Sequence, residues 1–310
     1  MTDVLVVGSV NIDATLALPR DPRPGETLRA SSLTWGPGGK GANQAVAMAR
    51  LGVRTAFVGM TGDDAPGRDA ARALAGEGID ISGLGTASDT RTGMAVILEV
   101  HGESTIAIYG GANDRLFEDV VAALPDSAFK VPLVALGMEV PKASVRLAMK
   151  RARGLGSRVL FDPAPVEGVD GDLVGLADII LPNRHEASRL SGVQVKDIDS
   201  ARTAGQRLLA MGAGAAIVKC DREGAVVVTP EGSWHILPVP TREVDATAAG
   251  DAFLGGVAAG LARGLELRTA ARLGAAAGAY AAGHRGALAS LPRLADIGGE
   301  AFVDSIANTR

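Results

Sequence analysis

Short apolar runs alternate with helix-patterned stretches along most of this 310-residue chain, and that rhythm limits the fold more than any other feature. The strand-like runs are Val4–Val7, Thr55–Val58, Leu133–Leu136, Val159–Phe161, Ile179–Leu181, Ala216–Val218 and Ala225–Val228. Helical patterns at Gly67–Gly76, Ala143–Arg153, Ala201–Met211 and Ala252–Ala262 lie between many of them. Strand–helix–strand repetition closes into a parallel sheet covered on both faces, so the expectation is a three-layer αβα fold with a mostly parallel central sheet. Two places break the rhythm. Residues 12–18 and 27–35 look extended, and Met94–Val100 with Thr105–Tyr109 looks like a hairpin around His101-Gly-Glu-Ser104. Strands without a covering helix predict a small separate sheet. The expected division is an α/β body of residues 1–10, 38–92 and 113–310, with a β lid of residues 11–37 and 93–112.

Two glycine-rich segments carry the chemistry. In Asp245-Ala-Thr-Ala-Ala-Gly-Asp251 small residues end at one acid, and a helix-forming run follows. Ala248, Ala249 and Gly250 would then present backbone N–H groups at a helix N-terminus, where partial positive charge attracts anions. Asp251, in the first turn, is placed to take a proton from an alcohol while those amides hold charge on a phosphoryl group. The plainer alternative is a capping Asp with small residues for close packing. The second segment is Trp35-Gly-Pro-Gly-Gly-Lys-Gly-Ala-Asn-Gln44. It is not a Walker A loop, because Gly41 follows Lys40 and Thr34 holds the first glycine position. Gly36, Gly38 and Gly41, with Asp63 beyond, match the dinucleotide fingerprint literally, but the first strand, Val4–Val7, lies nearly thirty residues upstream. What remains is a turn that lets backbone approach a ligand closely.

Together these segments resemble the ribokinase family, also called the PfkB carbohydrate kinases. The resemblance spans essentially the whole chain through Gly8-Ser-Val-Asn-Ile-Asp13, Gly38-Gly-Lys-Gly-Ala-Asn43, Gly110-Gly-Ala-Asn113, Glu139, Asn183-Arg-His-Glu186 and Asp245 through Asp251. It implies an ATP-dependent sugar kinase that phosphorylates the 5-hydroxymethyl group of D-ribose, with Asp251 as general base and the amides of 248–250 as anion hole. A sugar site of Asn11, Asp13, Gly39, Lys40, Asn43, Glu139 and Asp251 is implied beneath the lid. From the residues alone, Asn11 and Asp13 also read as an Asx turn, Lys40 as a solvated charge, and Glu139 as a helix-start acid. Asn183, Lys219, Asp221, Gly224 and Gly250 are implied on the nucleotide side. Glu186 is implied to help hold Mg2+ through water, though it reads equally as an ordinary first-turn acid. Asp221 stands where a glycine is common, and Ala275 where relatives often carry a polar residue beside adenine, which leaves base selectivity open. The resemblance further implies a monovalent cation, K+, near Asp245, Thr247, Ala281, His284, Gly286 and Ser290, and a homodimer formed through the lid strands. A kinase of the same family acting on fructose, deoxyribose, keto-deoxygluconate or a nucleoside is the alternative, and a sugar sensor without catalysis is more distant.

Composition excludes other classes. Formal net charge is −4 with acids and bases interspersed, so no basic face suits nucleic acid. His185-Glu186 does not begin a zinc motif, because Arg189 stands where the second His would be. No apolar run reaches the ~18 residues of a membrane span. The lone Cys220 suits a reducing compartment, and Met1-Thr-Asp3 lacks a basic leader, so a cytoplasmic enzyme is expected.

Overall fold

The computed structural model describes residues 2–100 and 103–308. Among these, nine strands form one sheet in the order β13-β12-β11-β10-β9-β8-β1-β4-β5. They are β1 (Val4–Val7), β4 (Thr55–Gly62), β5 (Asp80–Ala87), β8 (Leu133–Leu136), β9 (Arg158–Phe161), β10 (Ile179–Ile180), β11 (Ala216–Lys219), β12 (Ala225–Thr229) and β13 (Gly232–Ile236). Every pairing from β5 through β11 is parallel, and β12 and β13 add an antiparallel edge. All four residues of β1 are buried, as are all four of β8, because helices cover both faces of a parallel sheet. The apolar side chains divide accordingly. Val4 and Val6 face the cluster holding Phe57 and Val257, whereas Leu5 and Val7 face the one holding Phe129 and Phe161.

A second, four-stranded sheet has the order β3-β2-β6-β7, from β2 (Asn11–Leu18), β3 (Ser32–Gly38), β6 (Gly93–Val100) and β7 (Glu103–Tyr109). β2 runs parallel to β6 and antiparallel to β3. The β6–β7 hairpin forms as expected, with Met94 opposite Tyr109, while His101 and Gly102 of its turn lie outside the described residues. Residues 27–31, expected to be extended, form no strand; pairing begins at Ser32, where β3 meets Ala17 of β2.

The sheet's carboxyl edge is closed by two helices. Lys40–Arg50 begins at Gly39, whose φ of 91° favours glycine, and a Cβ there would lie 2.7 Å from the Asn11 amide nitrogen. Ala249–Ala262 packs directly on Leu267–Ala282: a Cβ on Gly256 would meet the Gly274 Cα at 2.7 Å. That backbone-to-backbone approach explains the abundance of Ala and Gly in both helices, and it fixes the N-terminus of the first beside Lys40.

Candidate active site

A cleft of about 990 Å3 runs between the lid sheet and the carboxyl edge of the main sheet. Asn11, Asp13, Gly39, Lys40, Asn43 and Glu139 border its inner end, together with Asp251. Asn11 and Asp13 open β2, where the chain leaves the body for the lid. Asn113 locks that exit: its Oδ1 accepts from the Val10 amide at 2.9 Å, and its Nδ2 donates to Asn11 Oδ1 at 2.8 Å. Glu139 Oε2 accepts from Ser9 Oγ at 2.6 Å and from the Lys40 amide at 3.2 Å, so it sits on the positive end of the Lys40–Arg50 helix. That helix also supplies Asn43 Nδ2 to Asp251 Oδ2 and Gln44 Nε2 to Asp251 Oδ1, both at 3.1 Å. Lys40 Nζ lies 3.7 Å from Asp251 Oδ1 and 3.3 Å from Asp162 Oδ2.

Crowded carboxylates perturb one another here. Burial, with the charges of Glu139 and Asp251 behind it, pushes the Asp13 carboxyl up to about 7. Burial raises Glu139 and Asp251 as well, against the pull of their hydrogen bonds and of Lys40. Lys40 is held above its ordinary range: burial opposes its charge, but Asp162, Asp251, Glu139 and Glu186 outweigh that.

The Ala249–Ala262 helix places Asp251 in its first turn. Ala248 before it has φ 59°, a left-handed conformation that a residue with a Cβ rarely adopts, and it turns the amides toward the cleft. One of the three expected amides is already paired within the chain. The Ala249 amide donates to the Ala246 carbonyl at 3.2 Å, closing the turn that enters the helix. Of the amides from Ala248 to Asp251, the other three, on Ala248, Gly250 and Asp251, have no acceptor among the described residues. Ala249 still borders the cleft.

Toward the outer end, Asn183, Glu186, Lys219, Asp221 and Gly224 border the same cleft. Asn183 and Glu186 form a reciprocal capping box: Glu186 Oε2 accepts from the Asn183 amide at 2.7 Å, and Asn183 Oδ1 accepts from the Glu186 amide at 2.9 Å. Asn183 Nδ2 holds the other Glu186 oxygen at 2.8 Å, so Glu186 is a first-turn acid fixed as a buried carboxylate at the edge of the cleft. Asp221 has φ 52° and lies 3.3 Å from Arg184 Nε, so Arg184, whose Nη2 also pairs with Glu223, offsets the Asp221 charge. Ala275, Gly278 and Ala279 form an apolar wall with Pro238 and Val239.

The residues expected at a monovalent cation gather next to this cleft. Asp245 Oδ1 accepts from the Thr247 amide and Oδ2 from the Gly286 amide, each at 2.9 Å, tying the 245–247 turn to the 281–290 segment. Both Asp245 oxygens thus already hold amides. Ser290 Oγ donates to the Ala287 carbonyl, the Ala281 carbonyl accepts from the His284 amide, and the His284 ring stacks on Tyr280. Of these residues Thr247 borders the main cleft, while His284 borders a separate cavity behind it.

Three residues of the charged network received no role from sequence reasoning. Gln44 closes the second glycine-rich segment and Arg184 lies inside the Asn183–Glu186 motif, whereas Asp162 belongs to neither. Asp162 directly follows β9 at the carboxyl edge, where open α/β sheets place ligands, and that position is the signal that would have found it.

Comparisons with known proteins bear on the family and the fold. The family model described as pfkB family carbohydrate kinase matches residues 1–294. A ribokinase of Haemophilus influenzae is 36% identical over 288 residues, covering 93% of this chain and 94% of its own. The crystal structure of a Thermotoga maritima ribokinase superposes with a TM-score of 0.88 at 31% identity, covering 98% of this chain and all of that one. An Arabidopsis thaliana ribokinase solved with ribose and ATP superposes with a TM-score of 0.86 at 28% identity, with both chains fully covered. With nearly the whole chain matched and the same fold recovered, this protein belongs to the pfkB family of carbohydrate kinases.

Proposed function

We propose that this chain transfers the γ-phosphoryl group of ATP to the 5-hydroxymethyl group of D-ribose. The observation that carries the reading is the meeting of three things at Asp251: an anion cradle of free amides, a carboxylate held by Asn43 and Gln44, and a wall of polar groups from the lid. The buried Asn43 Oδ1 has no donor within the described chain, and Asp13 has neither a hydrogen-bond nor an ion-pair partner there. Such acceptors call for a ligand rich in hydroxyl donors. A sugar bound to Asn11, Asp13, Gly39, Lys40, Asn43 and Glu139 would present its hydroxymethyl group to Asp251. Asp251 accepts the hydroxyl proton as the oxygen attacks. The amides of Ala248, Gly250 and Asp251 receive the transferred group, since such reactions depend chiefly on positioning and charge stabilisation. The lid sheet, whose inner face carries Ala95 and Ile97, excludes water that would compete as acceptor.

ATP chemistry of this family calls for a divalent metal, and Mg2+ suits a site with few protein ligands. The residues fit: seven acids and four bases border the cleft, an excess of three negative charges, and Glu186 is fixed by Asn183 where water could bridge to an ion. Bound there, Mg2+ would neutralise charge on the phosphates. K+ beside the Asp245–Gly286 tie would order the turn that exposes the Ala248 and Gly250 amides. The lid also supports a homodimer, because Leu33 and Trp35 on the β3 edge are 61% and 52% exposed. Among the described residues, no helix is long and apolar enough to cross a membrane.

The decisive assay is MgATP-dependent phosphorylation of D-ribose, deoxyribose, fructose, keto-deoxygluconate and nucleosides, run in potassium and again in sodium. Ribose preference with potassium stimulation is expected. Preference for another acceptor would overturn the ribose assignment while leaving the Asp251 chemistry intact.

A further inference from the structure

Asp162 is a fully buried carboxylate that the reaction above does not use. Its Oδ2 accepts from Gln44 Nε2 at 3.0 Å and from Lys40 Nζ at 3.3 Å. Its Oδ1 has no hydrogen bond; the nearest cation is Lys219 Nζ, 3.5 Å away, well beyond the ~2.8 Å of a close ammonium–carboxylate contact. Lys219 ends β11 and reaches in from the opposite side to Lys40. Its ammonium would be 3.5 Å from a Cβ on Gly250, so it stands directly over the first turn that bears the free amides. Two lysines therefore flank one anion-binding space, with a single carboxylate behind them.

We propose that Asp162 is a positioning residue for Lys40 and Gln44 that also holds Lys219 back until a nucleotide binds, when Lys219 exchanges its loose contact with Asp162 for the phosphate chain. The exchange is inexpensive because Asp162 keeps Lys40 and Gln44 when Lys219 leaves, so no buried charge is abandoned. A phosphate chain offers several acceptors to a compact ammonium, and a charge-assisted hydrogen bond formed in a dry cleft is the stronger of the two contacts. The same carboxylate fixes Lys40 and Gln44 against Asp251, so one side chain sets both the phosphate cation and the neighbours of the base. This assignment rests on the kinase reading, but the identity of the sugar does not enter it.

Binding of ADP and of adenosine is measured by calorimetry without added divalent metal, on the full chain and on Lys219→Met, Lys219→Arg and Asp162→Asn. Lys219→Met is expected to weaken ADP about tenfold or more, leave adenosine within about twofold, and be partly rescued by arginine. Asp162→Asn removes a competitor for Lys219, so ADP is expected to bind several-fold more tightly, while kcat falls about tenfold as Lys40 and Gln44 lose their anchor. Equal losses for ADP and adenosine, or no loss for either in Lys219→Met, would overturn the proposal, as would weaker ADP binding to Asp162→Asn. If the unaltered chain binds ADP but phosphorylates a different sugar, only the ribose reading fails; if it binds ADP neither without metal nor with magnesium, both fail.

Discussion

Replacing Asp13 by Asn should make the unliganded protein more stable at alkaline pH and a poorer sugar binder. Folding carries the Asp13 carboxyl from 3.8 to about 7, because burial and the charges of Glu139 and Asp251 disfavour its ionised form. For an acid raised in this way the sign is unfavourable: nothing is lost below pH 3.8, and the cost grows until ionisation is complete in the folded state, above pH 7. By linkage that cost reaches ~4 kcal/mol at high pH, and between pH 5 and pH 8 it grows by ~2.6 kcal/mol. Solvent reaching the cleft trims these figures, so a gain of about 1–2 kcal/mol for the variant at pH 8 over pH 5 is expected. Urea unfolding of both proteins at the two pH values, without sugar, measures the double difference. An advantage that is the same at both pH values, or larger at pH 5, would refute the electrostatic account. Ribose affinity should move the other way, falling at least tenfold at pH 8, since a charged acceptor contributes ~1.5–3 kcal/mol to a hydrogen bond.

Two further changes address the reaction and the assembly. Asp251→Asn should keep ribose affinity within a few-fold while turnover drops ~10²–10⁴-fold, the usual loss for a general base; near-normal turnover would remove Asp251 from that role. Trp35→Glu places a charge on an exposed apolar edge of the lid, and sedimentation should shift from dimer to monomer; an unchanged sedimentation coefficient would show that the lid edge is not the interface.

The alternation of apolar runs and helices made the parallel sheet legible because β1, β8 and β9 are short, buried and almost wholly apolar. β5 was not legible. It is an edge strand, Asp80–Ala87, carrying Gly83 and Gly85, and its pairing with β4 depends on close approach rather than on a periodic apolar face. Residues 27–31 touch β2 only at their end, where the Ser31 amide and hydroxyl both donate to the Ala17 carbonyl, so they add no strand. In the site, the glycine-rich segments marked where backbone meets ligand, yet local sequence cannot say which amides stay free. Ala249 lost its amide to Ala246 through a turn closed only by the left-handed Ala248. Asp162 was hidden for a different reason: its partners Gln44, Lys40 and Lys219 lie more than fifty residues away, and no spacing along the chain records that convergence.

The charge balance of the cleft carries one last consequence. Asp13, Glu139, Glu186, Asp221, Glu223, Glu243 and Asp251 border it against Lys40, Arg184, Lys219 and Arg222. Arg184 is already committed to Asp221 and Glu223, and Arg222 to Glu243. Two lysines then face Asp13, Glu139, Glu186 and Asp251, with Asp162 drawing on the same two from behind. A triphosphate entering alone would add negative charge to a space that is already acidic, and burial strengthens such repulsion. A divalent cation arriving with it reverses that sign. Calorimetry should therefore find ATP binding at least tenfold tighter with magnesium than with excess chelator, whereas adenosine binding should be indifferent to the metal. Equal ATP affinity under both conditions would mean that Lys40 and Lys219 alone neutralise the phosphates, and the acidic surplus would need another purpose.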